Sequence, residues 1–156
     1  MPHDMRSELK QVKPFTNTEE ELFLSLVRTA DVLGRKLSDF LKEQGLSPAQ
    51  YNVLRILRGS GPDGLPCGEI SMRMVTRDPD ITRLLDRLEQ RKLVARARHA
   101  EDRRVVSTRI TPEGVKLLQS VDLPMVEIHK KQFDFLSSVE MQALLDQLMR
   151  IREALD

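Results

Sequence analysis

Residues 76–111 read TRDPDITRLLDRLEQRKLVARARHAEDRRVVSTRIT, and the spacing of their apolar residues changes once along the way. Up to about Lys92, apolar residues recur at spacings of three and four, which is typical of a helix with one buried face. From Val94 onward, small and apolar residues alternate with basic and polar ones, which is typical of a strand. The stretch therefore predicts a helix that begins at Asp78-Pro79, followed by two strands joined at residues 99–103.

Two more short helices are predicted upstream of this stretch. Ser47 can cap a helix whose first residue is Pro48, a position where the missing N–H of proline costs nothing. Residues 59–64, GSGPDG, are typical of a turn, and residues 66–74 then suit a short amphipathic helix. Three short helices and a hairpin over residues 47–111 predict a winged helix-turn-helix domain.

A long amphipathic helix is predicted before this domain, over residues 18–46. Residues 1–17 are polar and expected to form a loose segment. The pattern Thr18-Glu19-Glu20-Glu21 is a capping box, and Gly45 is placed to end the helix. At about 1.5 Å per residue the helix outruns the small domain beside it, so we expect it to pack on a second copy of the chain.

Two helices are predicted after the hairpin, over residues 112–156. Thr111 caps the first, in which Pro124 is expected to cause a kink or an interruption. Ser137 and Glu140 form a capping box at the start of the second. The predicted fold is mostly α, an α+β winged helix-turn-helix with about six helices and a two-stranded β-wing. The N- and C-terminal helices are expected to form a homodimer.

The composition favours a cytoplasmic protein with a basic centre. The chain of 156 residues has one cysteine, and no membrane span or secretory leader is expected from its sequence. The net charge is only +1, but residues 47–111 hold 13 Lys and Arg against 8 Asp and Glu, whereas the remainder holds 12 against 16. A basic centre between acidic ends indicates contact with a polyanion such as nucleic acid.

The same residues resemble a known family. The order PAQYxVL, TRLLDRLE, LV, DRR and RITPEG is similar to that of MarR-type transcriptional regulators, and residues 82–114 are the specific part. The resemblance extends over residues 18–155. It implies a dimeric, ligand-responsive regulator of double-stranded DNA, most often a repressor. One departure is Lys92, which stands where the family has a glycine and is predicted to adopt an unfavourable backbone conformation.

Exposed residues around the start of the predicted helix are the candidate DNA contacts. Arg83 is predicted to contact guanine, whose O6 and N7 match a guanidinium fork. The competing role is an ion pair with Asp80, three residues earlier; Asp80 itself would hold an arginine or accept from cytosine. Thr82 is expected to reach a base or a phosphate, and Arg77 and Arg87 to contact phosphates.

Arg103 and Arg104 are the candidate contacts at the tip of the wing. Their charge suits the narrow, negative minor groove of A·T-rich DNA. The resemblance implies that Arg104 enters that groove and that Asp102 orients it. The alternative is a flexible charged loop.

Other roles have weaker support in the sequence. Cys67 suggests a thiol-based redox sensor, and a winged-helix module that binds protein instead of DNA is a further alternative. The histidines, of which His3 is one, show no metal-site spacing, so neither a metal nor a cofactor is expected, and nothing suggests catalysis. We expect a small effector, aromatic or anionic, to bind between the dimer base and the DNA-binding lobes.

Overall fold

The computed structural model describes residues 4–99 and 101–156, and its fold is mostly helical, as predicted. The described helices are α1 (Met5–Glu8), α2 (Thr18–Glu43), α3 (Pro48–Gly59), α4 (Cys67–Arg73), α5 (Ile81–Gln90), α6 (Pro112–Phe133) and α7 (Ser138–Leu155). The described strands are β1 (Leu65–Pro66), β2 (Val94–Arg98) and β3 (Val106–Ile110). The order of elements is that of a winged helix-turn-helix between long helices, so the predicted fold class is confirmed. Helix α1 and strand β1 were not predicted.

Part of the N-terminal segment expected to be loose forms a helical turn. The Asp4 carboxylate caps α1 by accepting a hydrogen bond from the Ser7 N–H at 2.7 Å. The Met5 side chain is buried, and α1 contacts α2. Burial of Met5 therefore stabilises a helical turn that the polar composition of this segment did not predict. Residues 1–3, including His3, lie outside the described residues.

Helix α2 begins with a different cap from the one predicted. Asn17, and not Thr18, accepts the Glu20 N–H at 2.8 Å, and the Glu20 carboxylate accepts the Thr16 N–H at 2.6 Å. Both Asn and Thr are favoured caps, so the sequence pattern alone does not choose between neighbours. At the other end Gly45 has φ +71° and terminates the helix as predicted.

The apolar faces of α3, α4 and α5 pack with the hairpin and the middle of α6 into one core. Helix α3 starts as predicted, with Ser47 and Gln50 forming a reciprocal capping box. Each fully buried leucine stabilises the fold by about 2 kcal/mol. The fully buried apolar side chains are those of Leu41, Val53, Leu54, Leu57, Ile70, Leu85, Leu88, Val94, Leu118 and Val121.

Helix α5 starts later than predicted, at Ile81 instead of Asp78-Pro79. The Asp78 carboxylate accepts the Asp80 N–H at 2.8 Å, and this local turn keeps residues 78–80 outside the helix. The helix ends at Gln90, and Lys92 has φ +59°. The unfavourable conformation predicted for Lys92 is confirmed.

The hairpin forms an antiparallel sheet in the order β1-β3-β2. Strands β2 and β3 pair from Val94 with Ile110 to Arg98 with Val106, in the predicted ranges. Strand β1 was missed because two residues are too few to show an alternating pattern. Residues 99–105 connect β2 to β3, a longer link than the predicted 99–103; Ala100 in it lies outside the described residues.

The junction between wing and α6 depends on a close backbone approach. Thr111 caps α6 by accepting the Gly114 N–H at 3.1 Å, and its hydroxyl donates to the Lys92 carbonyl at 2.7 Å. A Cβ at Gly114 would overlap the Leu93 carbonyl oxygen and lie 2.7 Å from Cγ1 of Ile110. Glycine is therefore required where the start of α6 approaches the backbone at Leu93, between α5 and β2.

Helix α6 is continuous through Pro124, so of the kink or interruption predicted there, the interruption is wrong. Val121 and Met125, on either side of the proline, are both buried, and this packing sustains the helix. A bidentate ion pair between Arg58 and Asp122, at 2.8 and 3.0 Å, ties α3 to α6 and lowers the pKa of the Asp122 carboxyl. No helix in the part of the chain that the structure describes is long and apolar enough to cross a membrane.

Candidate nucleic-acid interface

Helix α5 presents a polar face opposite its buried one. Leu84, Leu85 and Leu88 are buried in the core. Thr82, Arg83 and Arg87 are exposed, as is Arg77 in the segment before the helix. The structure therefore brings all four candidate residues of this region to accessible positions beside one another in the chain.

The segment before α5 is held by two polar side chains. The Asn52 side-chain oxygen accepts the Val75 N–H at 2.8 Å and so ties the segment to α3. Asp78 holds the Asp80 N–H, as described above. These bonds fix the approach to the helix, and Arg77 lies between them.

Arg83 forms the ion pair that the sequence allowed as a competing role. Its Nε lies 3.3 Å from a carboxylate oxygen of Asp80, while 76% of the Arg83 side chain is exposed. The pair occupies Nε and leaves the far end of the guanidinium open to solvent. Pairing with Asp80 and contact with an external ligand are therefore compatible.

Arg96 on β2 connects the wing to α5 and was not identified from the sequence. Its Nη2 lies 2.5 Å from Asp86 and 2.5 Å from Glu89, its Nε donates to Glu89 at 2.9 Å, and its backbone N–H donates to Glu89 at 3.2 Å. Hydrogen bonding to Arg96 lowers the pKa of the Glu89 carboxyl. These contacts pair both acidic residues of the helix with one guanidinium, which offsets one of their two negative charges and ties the wing to the helix. The sequence signal is weak: Asp86 and Glu89, three residues apart, precede a strand in which Arg96 and Arg98 both alternate with small residues.

The tip of the wing is shaped by backbone hydrogen bonds. The Asp102 carboxylate accepts the Arg104 N–H at 2.9 Å, and the Asp102 carbonyl accepts the Val105 N–H at 3.0 Å. Among the described residues, no hydrogen bond or ion pair involves the side chains of Arg103 and Arg104, which are exposed. The Asp102 carboxylate thus fixes the main chain at Arg104, and both guanidinium groups face solvent.

A cleft of about 680 Å³ lies between α2, α3, α6 and the segment that precedes α5. Tyr51, Arg55, Arg77, Met125 and His129 are among its lining residues. The cleft therefore joins an apolar floor to cationic and aromatic groups, and Arg77 belongs to both the cleft and the candidate interface.

Cys67 and the possible metal ligands are the remaining candidate groups. Cys67 is a half-buried free cysteine at the start of α4 that packs against the core. Within residues 4–99 and 101–156, no group of three His, Cys, Asp or Glu residues is placed to hold a metal ion.

Comparison with known proteins places this arrangement in a family. Residues 46–106 match the model of the MarR family. The HTH-type transcriptional repressor MdtR of Bacillus subtilis is 32% identical over 78% of this chain and 77% of its own length.

Solved structures agree with this assignment. The MarR transcription factor from Planctomyces limnophilus is 36% identical, with a TM-score of 0.67 over 90% of this chain and 99% of that one. A MepR–DNA complex from S. aureus, at 24% identity, has the same fold, with a TM-score of 0.75 over 90% of this chain and 99% of that one. The chain belongs to the MarR family of winged helix-turn-helix, DNA-binding transcription regulators.

Proposed function

We propose that the protein is a homodimeric transcription repressor that reads a pseudo-palindromic operator and responds to a small molecule. The observation that carries the DNA-binding mode is the joint exposure of Arg83 on α5 and Arg104 on the wing, two elements that Arg96 holds together. In this mode α5 enters the major groove and the wing tip enters the adjacent minor groove. The repressor role is supported by the name of the relative MdtR.

In the major groove, Arg83 donates to O6 and N7 of a guanine. Thr82, one residue earlier on the same exposed turn, reaches a base or a phosphate. Arg77 and Arg87 contact phosphates and so set the register of the helix on the duplex. Their exposure and their flanking positions support these roles.

In the minor groove, Arg104 is the inserted side chain and Arg103 adds positive charge beside it. The narrow minor groove of A·T-rich DNA concentrates negative potential, which favours an arginine there. The turn that Asp102 closes supports this role, because it fixes the main chain of Arg104 while leaving its guanidinium exposed.

Dimerisation through α2, α6 and α7 is supported by the apolar side chains that these helices leave exposed. None of the residues of α7, all of which are described, is buried. A helix with this many unburied apolar groups is expected to pack on another surface. The exposed large apolar residues include Leu22, Phe23, Val27, Leu123, Val126, Phe135, Val139, Leu144, Leu145, Met149 and Leu155.

The effector is proposed to bind in the cleft between α2, α3 and α6. Arg55 and His129 in its lining suit an anionic group, and Tyr51 and Met125 suit an aromatic body. Because Arg77 and Asp78 also line the cleft, a ligand there would shift the segment that positions α5. Binding of effector and of DNA would then be thermodynamically coupled.

DNA binding is tested by selecting duplexes from a random pool and measuring affinity by fluorescence anisotropy at several salt concentrations. We expect affinity to fall steeply with salt, because several phosphates are neutralised. Arg104→Ala should weaken binding at least about tenfold without changing the melting temperature, as expected for one lost groove contact. Lys131→Ala, which removes one exposed charge near the far end of α6, is the matched control and should bind normally.

Two results would count against the proposal. Failure to select any duplex in dilute buffer would favour the alternative of a protein-interaction module. Equal losses for Arg104→Ala and Lys131→Ala would mean that the wing contributes only general charge.

A further inference from the structure

Asp80 occupies the N-cap position of α5 without capping the helix. An aspartate there commonly accepts the N–H of the third helical residue, which is Arg83. Within residues 78–91, all of which the structure describes, no such side-chain bond is formed. The carboxylate lies instead 3.3 Å from Nε of the Arg83 side chain. The Asp80 carboxylate therefore does not cap α5 but forms an ion pair with the guanidinium of Arg83.

The backbone of Asp80 is fixed before any ligand arrives. The Asp78 carboxylate accepts the Asp80 N–H at 2.8 Å, and Asp80 has φ −125° and ψ 48°, outside the helical region. Asp78 thus fixes the main chain of Asp80, and the Asp80 carboxylate forms an ion pair with the largely exposed guanidinium of Arg83.

We propose that Asp80 is a positioning residue that makes Arg83 selective for guanine. This inference rests on the proposed entry of α5 into the major groove. Pairing at Nε leaves the Nη1 and Nη2 ends of the guanidinium, and this fork matches O6 and N7 of guanine. A side chain already held in place also loses less conformational freedom when it binds.

The Asp80 carboxylate also acts against non-specific binding. A negative charge close to the DNA backbone repels phosphates, and so reduces the attraction that Arg83 would have for any sequence. Asp80 therefore lowers affinity for unrelated DNA and raises the preference for guanine at one position. A residue that only stabilised the helix would change both affinities in the same direction.

The test compares Asp80→Ala with Asp78→Asn, each measured on duplexes selected by the wild-type protein. Asp78→Asn removes the same charge two residues away but keeps an oxygen that can accept the Asp80 N–H. Arg83→Ala first identifies the guanine position by relaxing the preference there. We expect Asp80→Ala to reduce the preference for guanine over adenine at that position about tenfold, the size of one well-formed base contact. It should also raise affinity for unrelated duplexes a few-fold, as should Asp78→Asn.

Replacing the guanine with 7-deazaguanine, which lacks N7, tests the fork directly. The wild-type protein and Asp78→Asn should lose affinity on this duplex, and Asp80→Ala should lose less. The preference is a ratio measured on one protein sample, so partial unfolding of a variant does not alter it.

Three results would overturn the inference. If Asp80→Ala keeps the full preference at the position that Arg83→Ala relaxes, the ion pair has no part in recognition. If Asp80→Ala relaxes a different position, Asp80 reads a base itself, as expected for a bond from cytosine N4. If Arg83→Ala relaxes no position, the proposed major-groove contact fails and this inference fails with it; the first two results leave that contact intact.

Discussion

The base and the tip of the wing differ in how their arginine side chains are bonded. At the base, Arg96 joins β2 to two carboxylates of α5, and Gly114 lets α6 pack against the Leu93 carbonyl. At the tip, residues 101–105 are held by main-chain bonds and by the Asp102 carboxylate, and the arginine side chains extend into solvent. The difference separates two functions of arginine in one hairpin. Arg96 contributes to geometry, and Arg104 remains available for a ligand.

This contrast explains why net charge describes the candidate interface poorly. Asp86 and Glu89 would repel DNA if their charges were free, but both are paired with Arg96, which offsets one of the two negative charges. Accessible positive charge is present at the start of α5, with Arg77 and Arg83, and at the wing tip, with Arg103 and Arg104. Substitutions at the base should therefore change stability first, and substitutions at the tip should change affinity alone.

The largest effect is expected at the base, from Gly114→Ala. The added Cβ would lie 2.7 Å from Cγ1 of Ile110 and would overlap the Leu93 carbonyl oxygen, which cannot move without breaking the junction. We expect a loss of about 3 kcal/mol or more in the free energy of unfolding, measured by urea denaturation. Gly68→Ala is the control, because its Cβ would meet nothing within 4 Å. Similar stability for the two variants would show that the junction is loosely packed.

A smaller effect is expected from Arg96→Ala, which breaks the contact between helix and wing. Its side chain is 27% exposed and joins two carboxylates, so we expect a loss of about 1.5 kcal/mol, more than for a single surface pair. DNA affinity should also fall, because Asp86 and Glu89 become unpaired on α5. Arg98→Ala removes an exposed charge from the same strand, and its stability should stay within about 0.5 kcal/mol of the wild type.

The pH dependence of stability gives Arg96→Ala a separate check. The pKa of Glu89 is lowered in the folded protein by its bond to Arg96, so this stabilisation is complete above the ordinary pKa of 4.5 and is lost as the pH falls through the folded value. The stability difference between wild type and Arg96→Ala should therefore shrink in acid. If the difference in the free energy of unfolding stays constant from neutral pH to acid, the Glu89 carboxylate is not the group through which Arg96 stabilises the fold.

The smallest effect, and one of opposite sign, is expected from Lys92→Gly. Lys92 has φ +59°, which costs an L-residue about 1–2 kcal/mol, and the greater freedom of glycine in the unfolded chain offsets part of the gain. A net stabilisation of about 0.5–1 kcal/mol is expected from thermal denaturation, with DNA affinity unchanged. Lys10 also has a positive φ, of 51°, but lies in the N-terminal segment, so Lys10→Gly controls for changes outside the junction. A loss of stability in Lys92→Gly would mean that the lysine side chain makes compensating contacts.

Most of the fold could be predicted from local patterns in the sequence. The change from helical to alternating spacing gave β2 and β3, and the Ser47 and Ser137 capping boxes gave the starts of α3 and α7. These features depend on residues close together in the chain, which is why they can be read without the structure. The backbone conformation of Lys92 was predicted from the resemblance instead, because the family has a glycine at that position.

Features that depend on distant or competing contacts were not predictable. The burial of Met5 requires α2 beside it, and the late start of α5 reflects the Asp78 carboxylate competing for the backbone. The pairing of Arg96 with α5 requires the strand to fold back on the helix. The sequence identified the exposed arginines of the candidate interface, but not the arginine that aligns its two parts.

Methylation of bound DNA by dimethyl sulfate is the most direct test of the proposed binding mode. The reagent attacks guanine N7 in the major groove and adenine N3 in the minor groove. On a selected duplex, the wild-type protein is expected to protect both kinds of atom in two half-sites about one helical turn apart. Arg104→Ala should restore reactivity at adenine N3 while guanine N7 stays protected. Full reactivity of both atoms under bound wild-type protein would contradict an interface that places α5 in one groove and the wing in the other.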